Sequence, residues 1–323
     1  MKNWIAVILS AGQGKRMKTE RPKVLHPLLD RPIIYYLIDL ASKVVDNNYY
    51  LIVNPKLYNI LHEKYKEKLI IQERPLGTGD AVRQLIPVLD DFEGNILVLP
   101  GDVPLIREES LKKLCEVHEK NKNACTLLTT FVENPKGYGR IIREEDGKIL
   151  KIVEDKDASD EEKKIREINT SIYAFSWKKL REVLPYLSNN NVQKEFYLPD
   201  VVPLLLEKGE KVEALIVDSY EVLGINTQKE LSYLQKIIQE KINEKWMEEG
   251  VSFISPQSVF IGKDVVLNKD VIIYPNSSIL GESFIGKGTI ISSNVFIENY
   301  YIGDNVKVGP FSFISYKKEL KGE

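Results

Sequence analysis

An aliphatic residue returns at every sixth position through the last part of the chain, and this repeat limits the possible folds more than any other feature. The repeated positions are Ile261, Leu267, Ile273, Ile279, Ile285, Ile291 and Ile297, followed after a one-residue slip by Ile302, Val308 and Ile314. Four residues after each of the first six stand small or β-branched residues, namely Val265, Val271, Ser277, Ser283, Thr289 and Val295. Ordinary alternating strands repeat every two residues. A period of six predicts a parallel β-helix with one hexapeptide per prism face.

The predicted β-helix is short. If three hexapeptides close one coil, the repeat covers about three coils. The ends of such a solenoid are poorly covered by their own chain. We therefore expect self-association through this part of the protein.

Apolar runs alternate with helix-like segments from residue 4 to about residue 131. The predicted strands are Trp4–Leu9, Tyr49–Val53, Leu69–Ile71, Asn95–Leu99 and Ala124–Val132, and the predicted helices are Ile33–Val44, Gly79–Val88 and Glu109–Lys120. Strands that are apolar at every position are covered on both faces, and the βαβ order predicts a parallel, doubly wound sheet. Ligands of such sheets bind beyond the carboxyl ends of the strands.

The middle of the chain predicts further elements. Glu145-Asp146-Gly147 is a hairpin turn between strands at 140–143 and 148–154, and Ser159-Asp160-Glu161-Glu162 is a capping box for a short helix. Strands are predicted at 169–175, 212–217 and 220–224, and Thr227 caps a helix from Gln228 to Glu249 that stops at Gly250. The predicted organisation is an α/β domain at 1–227, a connecting helix at 228–250 and the β-helix at 251–323.

Composition excludes several classes of protein. The 45 Lys and Arg against 47 Asp and Glu give a net charge of −2, which argues against a broad nucleic-acid surface. No run approaches the roughly 18 apolar residues of a membrane span, and we expect no signal peptide. Cys115 and Cys125 are predicted to be buried free thiols, which favours the cytoplasm. The three histidines show no zinc spacing and no partners for a hydrolase triad.

The first strand leads into Leu9-Ser10-Ala11-Gly12-Gln13-Gly14-Lys15-Arg16, and Lys23 follows. Small residues after a strand let backbone N–H groups approach an anion, and the cations add positive charge. A dinucleotide fingerprint is excluded because Met17 stands where a third glycine is needed, and the same position excludes a P-loop. Taken by themselves, Gly12 and Gly14 favour a pair of turn glycines beside solvated lysines.

Two further segments carry polar ligand groups. Gln72 to Ala81 has glycines and an N-capping Thr78 between a strand and a helix, and the strand at 95–99 ends in Pro100-Gly101-Asp102. A carboxylate at a strand end suits Mg²⁺, which takes few protein oxygens and fills its shell with water and phosphate. The alternatives are a plain connecting loop and a turn or cap role for Asp102.

The order of the motifs identifies a family resemblance. The chain carries LSAGQGKRM, PKVL, QERPLGTGDA, LPGDVPL, GYGRI, IVEDKDA, EINTSIY, NNNVQKEFYLPD and GIN, followed by a helix and hexapeptide repeats. Together they resemble the bacterial N-acetylglucosamine-1-phosphate uridyltransferases over essentially the whole chain. The resemblance implies an α/β fold, with a Rossmann-like nucleotidyltransferase (pyrophosphorylase) domain before a short left-handed parallel β-helix.

The resemblance also implies roles for individual residues. Ala11, Gly12, Gln72, Gly77 and Thr78 would hold the uracil end of UTP, with Lys23 and Asp102 also binding the nucleotide. Arg16 and Lys23 would be catalytic, on the triphosphate. Asp102 and Asn226 would bind Mg²⁺. Gly139, Glu154, Asn169, Glu195 and Tyr197 would hold N-acetylglucosamine 1-phosphate. The implied reaction gives UDP-N-acetylglucosamine and pyrophosphate, and the implied assembly is a homotrimer through the β-helix.

The chain departs from the family pattern at several positions. Lys15 stands where Thr or Ser is usual, Ser171 where Gly is usual, and Pro199 where Thr is usual. Relatives continue the β-helix through further coils that carry an acetyltransferase. Here Ser315-Tyr316-Lys317 replaces an Arg-Pro-Gly segment and the lysine-rich KKELKGE follows. We therefore expect no acetyl transfer, and no release of CoA from acetyl-CoA and glucosamine 1-phosphate.

Two alternative functions remain at the sequence level. The same architecture occurs in nucleotidyltransferases that use glucose 1-phosphate with UTP or dTTP. A non-catalytic nucleotide-sugar-binding regulatory subunit is the second alternative. Loss of catalysis should first remove the metal and phosphate residues, yet Arg16, Lys23, Asp102 and Asn226 are all present.

Overall fold

The computed structural model describes residues 3–316, and the chain divides into two compact units. The first unit ends at Asn226, and the second begins at Thr227 and also takes in Pro27–Pro32. The predicted domain boundaries at 227 and 250 stay predictions. The lysine-rich ending at 317–323 lies outside the described residues.

Strands up to residue 226 are short and mostly apolar. They are β1 (Trp4–Leu9), β2 (Pro27–Leu28), β3 (Arg31–Pro32), β4 (Tyr49–Val53), β5 (Leu69–Ile71), β6 (Asn95–Pro100), β7 (Cys125–Phe131), β8 (Arg140–Arg143), β9 (Ile149–Val153), β10 (Glu167–Ser176) and β11 (Val212–Ile216). The helices are α1 (Ile33–Val44), α2 (Pro55–Tyr65), α3 (Thr78–Arg83), α4 (Glu108–Asn121), α5 (Trp177–Val183), α6 (Val201–Glu207) and α7 (Gln228–Glu248).

The first unit is built on a nine-stranded sheet with the strand order β11-β7-β10-β6-β1-β4-β5, and β8 and β9 extend from β10. Strands β1, β4, β5 and β6 pair in parallel, as predicted. Strand β10 runs antiparallel to both β6 and β7, so the sheet is mixed rather than purely parallel. The carboxyl ends of β1 and β6 are neighbours at the centre of the sheet, where Leu9 pairs with Pro100.

Both faces of the sheet are covered. In β1, Ile5 and Val7 pack in one core cluster, and Trp4, Ala6 and Ile8 pack in another. Helices α3, α5 and α6 supply side chains to the first cluster, and α1, α2 and α4 supply the second. Burial on both faces explains why these strands are apolar at every position.

Three sequence predictions need correction. The strand predicted at 220–224 is wrong, because Ser219–Val222 is a 3₁₀ turn. The buried Glu221 carboxylate there accepts hydrogen bonds from the Ser110 hydroxyl and the Arg107 amide, which hold the turn against α4. The helix predicted at 79–88 ends at Arg83 and continues as turns. The capping box of Ser159 and Glu162 forms, but it opens only one 3₁₀ turn.

The second unit begins with α7, whose start was predicted. The Thr227 hydroxyl accepts from the Glu230 amide at 3.2 Å, and the Glu230 carboxylate accepts from the Thr227 amide at 3.0 Å. This reciprocal capping box satisfies two otherwise unpaired N–H groups. Gly250 follows the helix with a φ of 93°, a conformation that favours glycine.

The remaining strands form the predicted β-helix. They are β12 (Ser252–Phe253), β13 (Phe260–Ile261), β14 (Val266–Leu267), β15 (Ile272–Ile273), β16 (Ser278–Leu280), β17 (Phe284–Ile285), β18 (Ile290–Ile291), β19 (Phe296–Glu298), β20 (Tyr301–Ile302), β21 (Lys307–Val308) and β22 (Phe313–Ser315). They pair in parallel as three sheets, β12-β15-β18-β21, β13-β16-β19-β22 and β14-β17-β20. These sheets are the faces of the left-handed parallel β-helix.

The hexapeptide positions fill the inside of the prism. Ile261, Ile273, Ile279, Ile285 and Ile291 are fully buried in one apolar cluster. The small residues four positions later are buried too, and the Ser277 and Thr289 hydroxyls donate to backbone carbonyls of the stack. Both sets of repeat positions therefore point into the prism.

The pair β2–β3 belongs to the second unit, an arrangement that the sequence did not indicate. Leu29 turns the chain with a φ of 61°. Asp30 accepts a hydrogen bond from the Gly281 amide at 2.9 Å, and Arg31 contacts Asp264 at 3.2 Å. A side chain at Gly262 would collide with the Asp30 carboxylate, whose Oδ2 lies 2.2 Å from the position of a Cβ. Glycine at 262 therefore permits this contact.

We expect Ile279→Ala to destabilise the β-helix. Ile279 is fully buried at the centre of the repeat, so truncation removes apolar burial and leaves a cavity, which costs about 2–5 kcal/mol of unfolding free energy. The matched control is Val266→Ala, since Val266 is 46% exposed on the outside of the prism and should change stability by less than about 0.5 kcal/mol. Denaturant titration, monitored by hydrogen exchange of the amides at 260–308, measures the unfolding free energy of both variants. Equal destabilisation by the two substitutions would contradict the inward position of Ile279.

Candidate active site

The loop after β1 lies at the middle of the sheet edge. The Ser10 amide donates to the Ile52 carbonyl at 2.8 Å, and the Gly101 amide donates to the Leu9 carbonyl at 2.9 Å. A Cβ at Gly101 would lie 2.3 Å from the Ser10 hydroxyl oxygen. Glycine at 101 therefore lets the ends of β1 and β6 approach closely, which brings Ala11, Gly12 and Asp102 to one edge.

Gly14 brings the loop against Lys23. It has a φ of 60°, and a Cβ there would lie 2.8 Å from the Lys23 Cβ. Any L-residue would meet both a strained backbone and a steric conflict. The 3₁₀ turns Lys15–Met17 and Lys23–Leu25 follow, with the Met17 and Val24 side chains buried beneath them.

Four predicted residues meet in one polar cluster. The Lys23 ammonium hydrogen-bonds to the Asp102 carboxylate and, at 3.2 Å, to the Asn226 amide oxygen. The Arg16 guanidinium donates to the same Asn226 oxygen at 2.9 Å. The Ile225 amide donates to the Asp102 carbonyl at 3.0 Å, which holds the Asn226 segment beside β6. Residues from positions 16 to 226 are thus brought together by the sheet edge.

The cluster suits a hard divalent cation. One ammonium nitrogen touches both the Asp102 carboxylate and the Asn226 amide oxygen, so a single cation can contact both. Carboxylate and amide oxygens are ligands of Mg²⁺, which uses few protein groups. Within residues 3–316 no group of three or more His, Cys, Asp and Glu side chains could hold a metal ion.

A second loop supplies Gln72, Gly77 and Thr78. The buried Gln72 amide donates to the Gly77 carbonyl at 3.0 Å and to the Asp80 carboxylate at 2.7 Å. Gly77 has a φ of 109°, and a Cβ there would lie 2.4 Å from the Phe196 carbonyl oxygen. The prediction that Thr78 caps α3 is wrong, because Gly77 occupies the N-cap position. The Thr78 hydroxyl instead accepts from the Leu198 amide at 3.0 Å. The loop is therefore fixed against the segment at 195–198.

These loops enclose a cavity of about 530 Å³. Its wall contains eight of the predicted site residues, Ala11, Gly12, Lys23, Gln72, Gly77, Thr78, Asp102 and Glu195. Lys15, where the family usually has Thr or Ser, also lines it. Asn226 joins this group through its contact with Lys23, and Arg16 joins it through its contact with Asn226.

The predicted sugar residues form a neighbouring group. A Cβ at Gly139 would lie 3.3 Å from a Glu154 carboxylate oxygen and 3.4 Å from the Asn169 Cβ. The Asn169 amide donates to the Gly139 carbonyl at 2.9 Å, and its side chain donates to the Tyr173 hydroxyl at 2.7 Å. Gly139, Glu154 and Asn169 therefore adjoin one another where β8, β9 and β10 meet.

Glu154 has an unusual electrostatic environment. Burial first, and neighbouring carboxylates second, together raise its carboxyl pKa to about 7. In order of effect, these are Asp200, Asp157, Asp155 and Glu195. Asp200 is itself shifted, since burial first and Asp157 second raise its pKa to about 6. Near neutral pH, Glu154 therefore exists as a mixture of carboxylic acid and carboxylate.

Tyr197 and Glu195 lie on the segment that closes this region. The Tyr197 hydroxyl donates to Asp157 at 3.2 Å, and burial raises the Tyr197 pKa. The Asn191 side chain accepts a hydrogen bond from the Glu195 amide at 3.1 Å and donates one to the Glu195 carbonyl at 2.6 Å. Tyr197 is largely buried, so its hydroxyl anchors the segment from within.

Sequence reasoning missed Asp157, Asp200 and Tyr173. Asp157 also accepts from the Val192 amide at 2.8 Å and so joins the 154–158 loop to the 192–197 segment. Asp157 and Asp200 stand in the motifs IVEDKDA and NNNVQKEFYLPD, so their presence in those motifs was the available signal. Tyr173 gave no signal, because an aromatic residue in a buried strand is usually core.

Comparison with known proteins identifies the family. The nucleotidyl transferase family model matches residues 5–250. The chain is 42% identical to bifunctional protein GlmU of Clostridioides difficile, over 98% of this chain and 73% of that protein. It belongs to the GlmU family of nucleotidyl transferases. GlmU of Clostridium acetobutylicum is 41% identical over 94% of this chain and 67% of its own length, and GlmU of Carboxydothermus hydrogenoformans is 39% identical over 97% and 74%.

The GlmU resemblance predicted from the motifs is confirmed, as is the fold class. The matched family covers the strand-end loops that carry the cation cluster and the cavity. Along residues 3–316 no helix combines the length and the apolar character needed to cross a membrane. The roles of individual site residues in this GlmU relative stay predictions.

Proposed function

We propose that the chain transfers the uridylyl group of UTP to N-acetyl-α-D-glucosamine 1-phosphate, with Mg²⁺ as cofactor, giving UDP-N-acetylglucosamine and pyrophosphate. The observation that carries this proposal is the cluster of Arg16, Lys23, Asp102 and Asn226 beside the cavity. Two cations and two oxygen ligands at a strand edge suit phosphoryl chemistry. The GlmU relatives support the choice of substrates.

The reaction is an in-line displacement at the α-phosphorus of UTP. A phosphate oxygen of the sugar 1-phosphate forms the new bond, and the bond from the α-phosphorus to the oxygen bridging the β-phosphorus breaks. Pyrophosphate leaves with that oxygen and its electron pair. No protein nucleophile takes part, so rate acceleration comes from alignment and from fixed charge.

The cationic side chains of the cluster stabilise the negative charge of the phosphates in this reaction. Lys23 lines the cavity and can shift from Asp102 to an incoming phosphate, and the exposed Arg16 guanidinium contacts the same Asn226 oxygen as Lys23. Both stabilise negative charge as it develops on the leaving pyrophosphate. Asp102 and Asn226 would hold Mg²⁺, which would supply charge neutralisation and alignment for the phosphates of UTP and of the sugar. Lys15 adds a further cation to the loop.

On the other side, Gly139, Glu154 and Asn169 would hold the sugar. The Glu154 carboxylate can accept hydrogen bonds from ring hydroxyls, and charge-assisted bonds of this kind are roughly twice as strong as neutral ones. Gly139 leaves room for the sugar, since a Cβ at this position would lie in tight contact with the Glu154 and Asn169 side chains. Asp157 and Tyr197 position the segment that carries Glu195.

We expect binding of the sugar phosphate to improve as pH rises from 6 to 8. The pKa of Glu154 is raised to about 7, so the carboxylate fraction increases about tenfold over this range. KM for N-acetylglucosamine 1-phosphate should fall accordingly in wild type. Glu154→Gln has no titrating carboxyl, so its KM should be higher and should lose this component of the pH profile.

Titration of the substrate phosphate affects both proteins and cancels in the comparison. Steady-state kinetics at saturating UTP provide the measurement. Parallel pH profiles in wild type and Glu154→Gln would show that Glu154 is not the titrating group.

A substrate panel tests the proposed function. Pyrophosphate release is measured with UTP or dTTP, each paired with N-acetylglucosamine 1-phosphate or glucose 1-phosphate, and the nucleotide sugar is identified by mass. The proposal expects the highest kcat/KM for UTP with N-acetylglucosamine 1-phosphate. A preference for glucose 1-phosphate or dTTP would reassign the substrate, and absence of turnover on all pairs would favour a regulatory binding role.

We also propose assembly as a homotrimer through the β-helix. Phe284 and Tyr301 stack at 4.7 Å between ring centroids, and Phe296 and Phe313 stack at 4.9 Å on another face. Phe313 and Tyr301 are 70% and 69% exposed, so these aromatic surfaces are available for contact. Light scattering coupled to gel filtration measures the mass, and a monomer would contradict this assembly.

A further inference from the structure

Strand β10 contains an irregularity at Ser171. The register of β10 against β7 shifts between Asn169 and Tyr173. Ser171, within this shift, has a φ of 62°. An L-residue in the left-handed region is strained, and serine lacks the amide side chain that makes this conformation easier for asparagine. Such outliers often occur at functional sites.

Local hydrogen bonds enforce the irregular backbone. The Asn169 side-chain oxygen accepts from the Ser171 amide at 3.1 Å. The Thr170 hydroxyl donates to the Leu128 carbonyl at 2.7 Å and accepts from the Ile172 amide at 3.3 Å. The conformation is therefore fixed by its neighbours, and the residue at 171 must accommodate it.

Ser171 also lies on the cavity wall. It lines the same cavity as Lys23, Asp102 and Glu195. Through its backbone it is bonded to Asn169, which adjoins Gly139 and Glu154. Ser171 therefore lies between the phosphate-side cluster and the sugar-side group. Among residues 3–316, its hydroxyl has no hydrogen-bond partner, whereas Thr170 beside it has two.

We propose that the Ser171 hydroxyl is a substrate-binding group that hydrogen-bonds to the sugar 1-phosphate. The inference rests on the proposed function. A hydroxyl can donate to a phosphate oxygen and accept from a sugar hydroxyl, so it suits the junction between the two parts of this ligand. Glycine would relieve the backbone strain but would supply no such group, which gives serine a functional advantage here.

Two variants separate the hydroxyl from the backbone. Ser171→Ala removes the hydroxyl and keeps the strained Cβ. Ser171→Gly removes both. Since one hydrogen bond to the ligand is lost in each, we expect both to raise KM for N-acetylglucosamine 1-phosphate about three- to tenfold and to leave KM for UTP unchanged.

Thermal unfolding supplies an independent measure of strain. Ser171→Gly should raise Tm by about 1–3 °C, because strain relief exceeds the entropic cost of glycine, while Ser171→Ala should leave Tm close to wild type. The matched control is Lys122→Gly. Lys122 is exposed, has a φ of 52° at the end of α4 and does not line the cavity. Lys122→Gly should raise Tm by a similar amount without changing KM for N-acetylglucosamine 1-phosphate or for UTP.

Calorimetric binding of N-acetylglucosamine 1-phosphate completes the test. If wild type binds and turns over the sugar phosphate and both Ser171 variants bind it about three- to tenfold more weakly, the proposal stands. If wild type binds it and Ser171→Ala matches wild type, the hydroxyl proposal is wrong while the proposed function survives. A loss of UTP affinity of equal size would also overturn it. If wild type neither binds nor turns over any sugar phosphate, the proposed function fails and this proposal fails with it.

Discussion

Replacing Asp102 with alanine is expected to lower pyrophosphate release by about 100- to 1000-fold or more. Asp102 supplies the only carboxylate in the cluster with Arg16, Lys23 and Asn226, so its loss removes the charged ligand of the predicted metal site. The residue is only partly buried, and Gly101 and Ile225 are held by backbone bonds that the substitution leaves in place. Folding should therefore be retained.

The control for this variant is Asp91→Ala. Asp91 is an exposed carboxylate of the same unit and lies outside the cavity wall. Turnover, thermal unfolding and binding of Mn²⁺ by electron paramagnetic resonance are measured for both. Asp102→Ala with normal turnover and normal Mn²⁺ binding would exclude the metal role of this residue.

Lys23→Met is expected to have two opposite effects. Turnover should fall about 100- to 1000-fold, because a cation against developing phosphate charge is lost. In the absence of UTP, however, Mn²⁺ should bind about tenfold more tightly than to wild type, because the ammonium no longer occupies the oxygens of Asp102 and Asn226. Methionine keeps much of the apolar stem, so the packing with Gly14 is largely preserved.

Lys113→Met is the matched control, since Lys113 is exposed on α4 and away from the cavity. It should change neither turnover nor Mn²⁺ affinity. Slower turnover together with tighter metal binding in Lys23→Met is the expected combination. Slower turnover with weaker metal binding would mean that Lys23 supports the metal site rather than competing for it.

The β-helix was the most predictable part of the fold. Its repeat of six has a direct physical cause, since each inward position such as Ile279 stacks on equivalent residues of the coils above and below. Strands β1 and β6 were also predictable because burial on both faces demands apolar residues at every position. The start of α7 followed from Thr227 and Glu230, which cap it reciprocally.

The errors arose where tertiary contacts decide local structure. The 220–224 segment has strand-like composition, but hydrogen bonds from α4 to Glu221 hold a turn. The antiparallel direction of β10 depends on its pairing with β6 and β7, which no local pattern records. The membership of Pro27–Pro32 in the second unit depends on a contact of Asp30 with Gly281, 251 residues away.

The candidate site, like the fold, could be predicted from the sequence only in part. Glycines, cations and Asp102 at strand ends could be predicted, because parallel strands present their carboxyl ends at one edge. The electrostatic state of Glu154 could not, since it arises from burial, from two carboxylates of its own loop and from Asp200 and Glu195 elsewhere in the chain. The strained conformation of Ser171 was also invisible, because its cause is the register shift of β10.

Incubation of the purified wild-type protein with UTP, N-acetylglucosamine 1-phosphate and Mg²⁺, with quantification of both products, tests the proposed reaction most directly. We expect UDP-N-acetylglucosamine and pyrophosphate in equal amounts, with formation abolished by EDTA and restored by added Mg²⁺. Absence of both products, or release of pyrophosphate without the nucleotide sugar, would contradict it.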